Sequence, residues 1–269
     1  MDNSIVVENL TFAYDQHLIF DKLNLKIKRG SWTTIIGPNG GGKSTLMKIM
    51  IGELKAEGTI LVDGQLLTRK NQREYYKKIY LLSEMPDDKF ISETVRDEIA
   101  FVLENKKRDP IEIEKKVNQI AKKLKITHLL NKSPYQLSGG EKQIVCLAAM
   151  LAHEPTVVLL DETLNRIDFE QKNQILKMLN QLRREKGLTI LAITHNLDEA
   201  IDADQIIVLD HGKIVLNGTK MEVLREEKIL NRLGVDIPFM VSLSIKLNHY
   251  NLLRGIELDM DKLVTKLWP

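Results

Sequence analysis

The run Gly37-Pro38-Asn39-Gly40-Gly41-Gly42-Lys43-Ser44 has the spacing of a phosphate cradle. Glycines at 37, 40, 41 and 42 let the main chain approach phosphates with its N–H groups pointing inward. Lys43 adds a point charge for β- and γ-phosphates, the Ser44 hydroxyl suits Mg²⁺, and Thr45 is counted with the nucleotide-binding residues. A short β-branched strand, Thr33 to Ile36, leads in, and the helix from Lys43 to Ile51 leads out. The helix N-terminus therefore faces the anion.

Three further features extend this chemistry. The apolar run Val157 to Leu160 precedes Asp161-Glu162. A carboxylate at a strand end holds Mg²⁺ through water, which suits Asp161, and the next residue, Glu162, is placed to polarise an attacking water. His195 follows another buried strand, as Thr194-His195, where phosphoryl transfer needs a group touching both γ-phosphate and water. Finally, Leu137-Ser138-Gly139-Gly140-Glu141 opens an apolar helix. Ser138-x-x-Glu141 reads as a capping box. Its two glycines suggest that something approaches this backbone closely.

The elements around these residues follow from pattern. Ile5 to Leu10 and Leu23 to Ile27 alternate as half-exposed strands do, and Gly58 to Gly64 and Ile79 to Leu82 read as further strands. From Phe90 to Leu137 the character is helical: Thr94–Leu103, then Pro110–Leu124 with Ile113, Val117, Ile120 and Leu124 on one face. Val157 to Leu160 and Thr189 to Thr194 are apolar enough for strands buried on both faces. Between them Asp168 to Lys186 is a helix stopped by Gly187. His211-Gly212 turns a hairpin. In the tail, Val241, Leu243, Ile245 and Leu247 alternate as a strand would, and strand and helix both stay open there.

At 269 residues, 43% hydrophobic and 28% charged, the chain suits one large α/β domain plus an appendage. A net charge of +2 points neither toward nor away from nucleic acid. The single cysteine, Cys146, cannot form an intrachain disulfide and reads as a small core residue. No apolar run approaches the ~18 residues of a membrane span. The opening Asp2-Asn3 gives no sign of a secretory leader. An intracellular compartment fits, and any work at a membrane would be done by docking to another protein.

In this order, the motifs resemble the ATP-binding cassette ATPases over roughly residues 4–220. The resemblance implies a P-loop α/β core with an N-terminal antiparallel β subdomain, an inserted helical subdomain at about 90–150 and a small C-terminal appendage. The ATPase domain would span 1–225, and 226–269 would help dimerisation. It implies ATP and Mg²⁺ as ligands. Ser138 and Gly140 would contact the γ-phosphate held by an opposite subunit, and Tyr14 would stack on adenine. Glu162 would be the catalytic base, His195 the switch histidine and Asp168 the D-loop aspartate. A finer resemblance, to energy-coupling factor importers, lies in three segments. These are Pro86-Asp87-Asp88-Lys89-Phe90 with Thr94 to Phe101, then Ile193 to Ala200, then Leu233 to Phe239. It implies a second, often non-identical ATPase subunit, a membrane scaffold with basic coupling helices and a substrate-binding membrane subunit. It implies no nucleic acid, a peripheral place on the cytoplasmic face, and uptake of a vitamin or metal ion.

The chain departs from that pattern at four places. Glu84 stands where the family has its Mg²⁺- and water-binding glutamine, and Glu141 replaces the usual glutamine of the signature. Thr163-Leu164-Asn165-Arg166-Ile167 replaces a Pro-Thr-containing run, and Ile144 stands where an arginine is common. A carboxylate about 6 Å from a phosphate charge, at a dielectric of ~20, is repelled by roughly 3 kcal/mol. Glu84 therefore either ligates Mg²⁺, joining Ser44 and Asp161, or swings away when ATP binds. A heterodimer with unequal sites is the expectation. Glu84, Asp87 and Asp88 also form an acidic stretch suited to basic helices. Two other readings stay open: a regulatory ATP-binding subunit, and a non-transport cassette. This chain shows neither the long coiled coil of DNA-repair cassettes nor the second cassette of ribosome-associated ones, which counts against the latter reading.

Overall fold

Alternating side chains build the first layer. β1 (Asn3–Tyr14) and β2 (His17–Lys28) form an antiparallel hairpin, with β4 (Glu57–Val62) on the other side of β1 and β5 (Gln65–Leu66) beyond it. Ile5, Val7 and Leu10 of β1, with Leu23, Leu25 and Ile27 of β2, all face inward and are buried. The computed structural model describes residues 2–68, 70–83, 90–106, 108–164, 167–194, 197, 200 and 203–268. The expectations for Glu84, Asp87, Asp88 and His195 lie outside them.

The second sheet is the core. Its order is β10 (Lys213–Gly218), β9 (Gln205–Asp210), β3 (Trp32–Ile36), β8 (Thr189–Ile193), β7 (Val157–Asp161), β6 (Ile79–Leu82). The pairings from β9 through β6 are parallel, and β10 is antiparallel to β9. β3 and β8 are buried along their whole length, the pattern of a sheet covered on both faces. One face packs Ile35, Leu159 and Leu191 against the first layer and α1 (Lys43–Met50). The other packs Trp32, Leu160 and Ala192 against the helices.

Between β6 and β7 lie α3 (Val95–Glu104), α4 (Pro110–Lys123) and α5 (Gly139–His153), preceded before β6 by α2 (Gln72–Lys78). Their starts are capped as their sequences direct: Thr94 accepts from Asp97 N–H and Asp109 from Ile111 N–H. α6 (Phe169–Lys186) is capped by Asp168 and ends at Gly187 with φ +68°. Glu154, just past α5, gathers Lys106, Arg108 and Lys116, which ties the end of α5 to the α3–α4 connection and to the middle of α4.

The tail is helical: α7 (Lys220–Arg225), α8 (Glu227–Arg232), α9 (Phe239–His249) and α10 (Met260–Leu267). The alternation of Val241, Leu243, Ile245 and Leu247 is not a strand. Val241 and Ser244 are buried and Ile245 packs beside them, which is helical spacing. Ser244 Oγ donates to Glu257 O and accepts from Glu257 N–H, both at 3.0 Å, clasping the segment that follows. Cys146 is half-buried beside the core rather than fully inside it. Among the described residues no helix is long and apolar enough to cross a membrane.

Candidate functional site

Three parallel strands end on one side of the sheet, where ligands of open α/β folds bind. β3 runs into the glycine loop, β7 ends at Asp161, and β8 ends one residue before Thr194. The loop needs its glycines for two different reasons. Gly37 has φ +144°, and a Cβ there would lie 2.0 Å from Leu209 O, so β9 presses directly against it. Gly40 has φ +78° with open space around it. The hairpin turn adds a tie, Gly212 N–H donating to Gly41 O at 3.1 Å.

Lys43 heads α1 and folds back over the loop. Its Nζ donates to Gly37 O and Pro38 O, each at 2.8 Å, and it is only 5% exposed. Burial lowers the Lys43 pKa, while the Glu162 and Asp161 carboxylates pull it the other way. Ser44 Oγ donates to Asp161 Oδ1 at 3.0 Å. Glu162 takes a left-handed conformation, φ +52°, and its N–H donates to Ile193 O at 3.2 Å. Lys43, Ser44, Asp161 and Glu162 are thus brought together. Asn39 and Gly40 are exposed at the loop tip, Pro38 and Thr45 are half-buried, and Gly41 and Gly42 are buried.

A magnesium ion fits this donor set. Mg²⁺ takes one or two carboxylates plus substrate phosphates and water rather than an all-protein cage. The Ser44–Asp161 pair offers one hydroxyl and one carboxylate. Among the described residues, no group of three or more His, Cys, Asp or Glu side chains is placed to hold a metal by itself.

Ser138 and Gly140 stand at the head of α5, and the capping box is complete. Ser138 N–H and Oγ both donate to Glu141 Oε2 at 2.8 Å, and Glu141 N–H returns to Ser138 Oγ at 3.4 Å. The Ser138 N–H first, then its hydroxyl, hold the Glu141 carboxyl below its usual pKa. The Ser138 side chain is therefore engaged by its own helix. Tyr14, at the tip of the β1–β2 hairpin, is 44% exposed and meets Phe12 edge-on with ring centroids 4.8 Å apart.

A protein-family model described as ABC transporter matches residues 20–165, more than half of the chain. An energy-coupling factor transporter ATP-binding protein, EcfA of Pediococcus pentosaceus, is 36% identical over 100% of this chain and 97% of its own. EcfA1 of Mycoplasmopsis synoviae, of the same description, is 38% identical over 91% and 93%. The chain belongs to the ABC transporter family, among its energy-coupling factor ATP-binding proteins. Solved structures agree. That of cbiO1 from Clostridium perfringens, part of the ABC transporter complex cbiONQ, has a TM-score of 0.75 at 32% identity, covering 90% of this chain and 99% of that one. A dimeric ATP-binding cassette in a post-hydrolysis state, bound to ADP and Pi, has a TM-score of 0.74 at 26% identity, covering 80% and 98%.

Within this ABC fold, two positioning groups escaped the sequence reading. Gln143, 3% exposed, donates Nε2 to Ser83 O at 3.3 Å, linking the signature helix to the end of β6. Glu98 accepts from Ile91 N–H at 3.1 Å and Ser92 N–H at 3.0 Å, fixing the approach to α3. A glutamine or glutamate inside an otherwise apolar helical face was the available signal.

Proposed function

We propose that this chain binds Mg-ATP at residues 37–45 and hydrolyses it as one of two ATPase subunits of an energy-coupling factor importer for a vitamin or metal ion. The convergence of Lys43, Ser44, Asp161 and Glu162 at one end of the sheet carries the reading. Lys43 meets the β- and γ-phosphates by exchanging its carbonyl partners for them. Ser44 and Asp161 hold Mg²⁺, which when bound neutralises phosphate charge. Glu162 accepts the proton of the attacking water, and Tyr14, exposed on its hairpin, stacks on adenine. His195 and Glu84 are assigned to the γ-phosphate and to the water or metal on their sequence positions alone.

Ser138 and Gly140 serve the ATP held by the second subunit, which closes the site from outside. The tail supports that pairing, since Phe239, Tyr250, Leu252 and Trp268 are exposed apolar residues on residues 226–269. The acidic stretch at Glu84, Asp87 and Asp88 receives basic coupling helices of a membrane scaffold, which places the chain peripherally on the cytoplasmic face. The partner ATPase is non-identical, because Glu84 and Glu141 put carboxylates where a neutral group is usual.

The test is purification of the tagged full chain from its native membrane. Recovery of a second ATPase and membrane subunits, with Mg-ATP hydrolysis lost on Lys43→Met, supports the reading. A closed, fully active homodimer free of membrane subunits contradicts it. A second reading, a regulatory ATP-binding subunit, is favoured by the extra charge at Glu141.

A further inference from the structure

Beside Glu162, on the helix-facing side of the core sheet, lies a cavity of about 20 Å³. Residues two apart on a strand share a face. Trp32 and Thr34 of β3 therefore line it together, with Thr194 after β8 and Leu176 of α6 closing it. Glu162 and Thr163 complete the wall.

Three of these residues carry a buried polar atom with no hydrogen-bond partner: Trp32 Nε1, Thr34 Oγ1 and Thr163 Oγ1. Their residues are 2%, 1% and 4% exposed, so bulk solvent does not reach them. Buried polar atoms are nearly always satisfied by protein or by an ordered water. A water needs about 10–15 Å³ and two to four polar partners. The cavity meets both conditions.

We propose that one buried water occupies this cavity, bonded to Trp32, Thr34 and Thr163, and that Thr163 is thereby a positioning residue for Glu162. Three bonds give each of these atoms a partner. The indole N–H donates to the water oxygen, and the two water hydrogens are donated to the two threonine oxygens. The reason for a tie at this point is also visible. Glu162 sits in a left-handed conformation that non-glycine residues adopt uncommonly. Anchoring the next side chain fixes the following peptide and hence the direction of the carboxylate. Thr163 is also the first residue of the run in which this chain departs from the Pro-Thr sequence usual in the family, and proline has no hydroxyl to offer.

The proposal rests on Glu162 being the base, and the test separates the two ideas. Crystals of the full chain at a resolution that shows ordered water are compared for wild type, Thr163→Val and Thr163→Ser. The turnover of each is measured in the assembled complex. The water appears in wild type and in Thr163→Ser and is lost in Thr163→Val. The same valine lowers kcat about tenfold with KM for ATP unchanged, and serine restores it. Thr34→Val, placed on the strand rather than the loop, serves if Thr163→Val does not fold, and it too removes the water and lowers kcat. A dry wild-type cavity overturns the proposal, as does a valine variant with wild-type kcat. Full turnover in Glu162→Gln instead overturns the base assignment, and the density then decides the water alone.

Discussion

Ser44 Oγ donates a 3.0 Å hydrogen bond to Asp161 Oδ1, joining the first turn of α1 to the end of β7. Two segments 117 residues apart in sequence thus share one hydroxyl–carboxylate pair at the mouth of the phosphate loop. In the proposed reaction that pair would contribute to the Mg²⁺ shell, which Glu84 would join if it ligates the metal. Ser44→Ala is expected to raise the Mg²⁺ concentration for half-maximal ATPase by about tenfold, while ATP binding without Mg²⁺ stays near wild type. The check is a Mg²⁺ titration of turnover beside metal-free nucleotide binding.

Lys43 is a buried cation held by two backbone carbonyls. Lys43→Met keeps most of the side-chain length, ending one atom short of Nζ, and removes the charge, so the loop keeps most of its packing. Nucleotide affinity is expected to fall about a hundredfold, with Tm unchanged or slightly raised because a desolvated charge is gone. Fluorescent-nucleotide titration and thermal melting read the two effects separately.

Gly37 and Gly40 predict opposite outcomes for the same substitution. Gly37→Ala drives a Cβ to 2.0 Å from Leu209 O, so β9 or the loop must move, and nucleotide binding is lost. Gly40→Ala meets nothing within 4 Å and bears only the cost of its positive φ, about 1 kcal/mol. Nucleotide titration of both variants, with melting curves, distinguishes close approach from conformational strain.

Glu141 is held below its ordinary pKa by the Ser138 N–H and hydroxyl. A folded-state pKa below the unfolded one gives stability that is present above the unfolded value, near 4.5, and lost as pH falls through the folded one. Wild type is therefore expected to lose more Tm than Glu141→Gln as pH drops below about 4.5, starting from a slightly higher Tm near neutrality, where the charged carboxylate accepts bonds that a neutral glutamine makes more weakly.

Glu154 is the common counter-ion of Lys106, Arg108 and Lys116, with its side chain 30% exposed. Burial pushes its carboxyl up, but the three cations outweigh that and hold it below its usual pKa. Glu154→Gln leaves three cations facing one another. A loss of about 1 kcal/mol, a few degrees of Tm, is expected, with a smaller loss in high salt. Melting at two ionic strengths checks it.

Much of this was legible because it is local. The alternation at Ile5–Leu10, the apolar run at Val157–Leu160, the Gly187 stop and the Ser138–Glu141 box each follow from a few adjacent residues. What escaped depends on distant segments. Nothing in the glycine loop announces that Leu209 O lies against Gly37, or that Lys43 rests on Gly37 and Pro38 carbonyls. The tail alternates by two in sequence, yet packs at helical spacing because Val241 and Ser244 meet the core and the Glu257 backbone. The left-handed Glu162 and the polar atoms beside it arise where β3, β7 and β8 meet, and no single stretch encodes them.

The central claim is that this chain's own Glu162 drives turnover, and one measurement addresses it most directly. ATP hydrolysis by the assembled membrane complex is compared with and without Glu162→Gln in this chain alone. A fall of about a hundredfold or more is the predicted result, the size of a lost general base. Turnover that barely changes contradicts the claim and makes the chain the regulatory member of its pair.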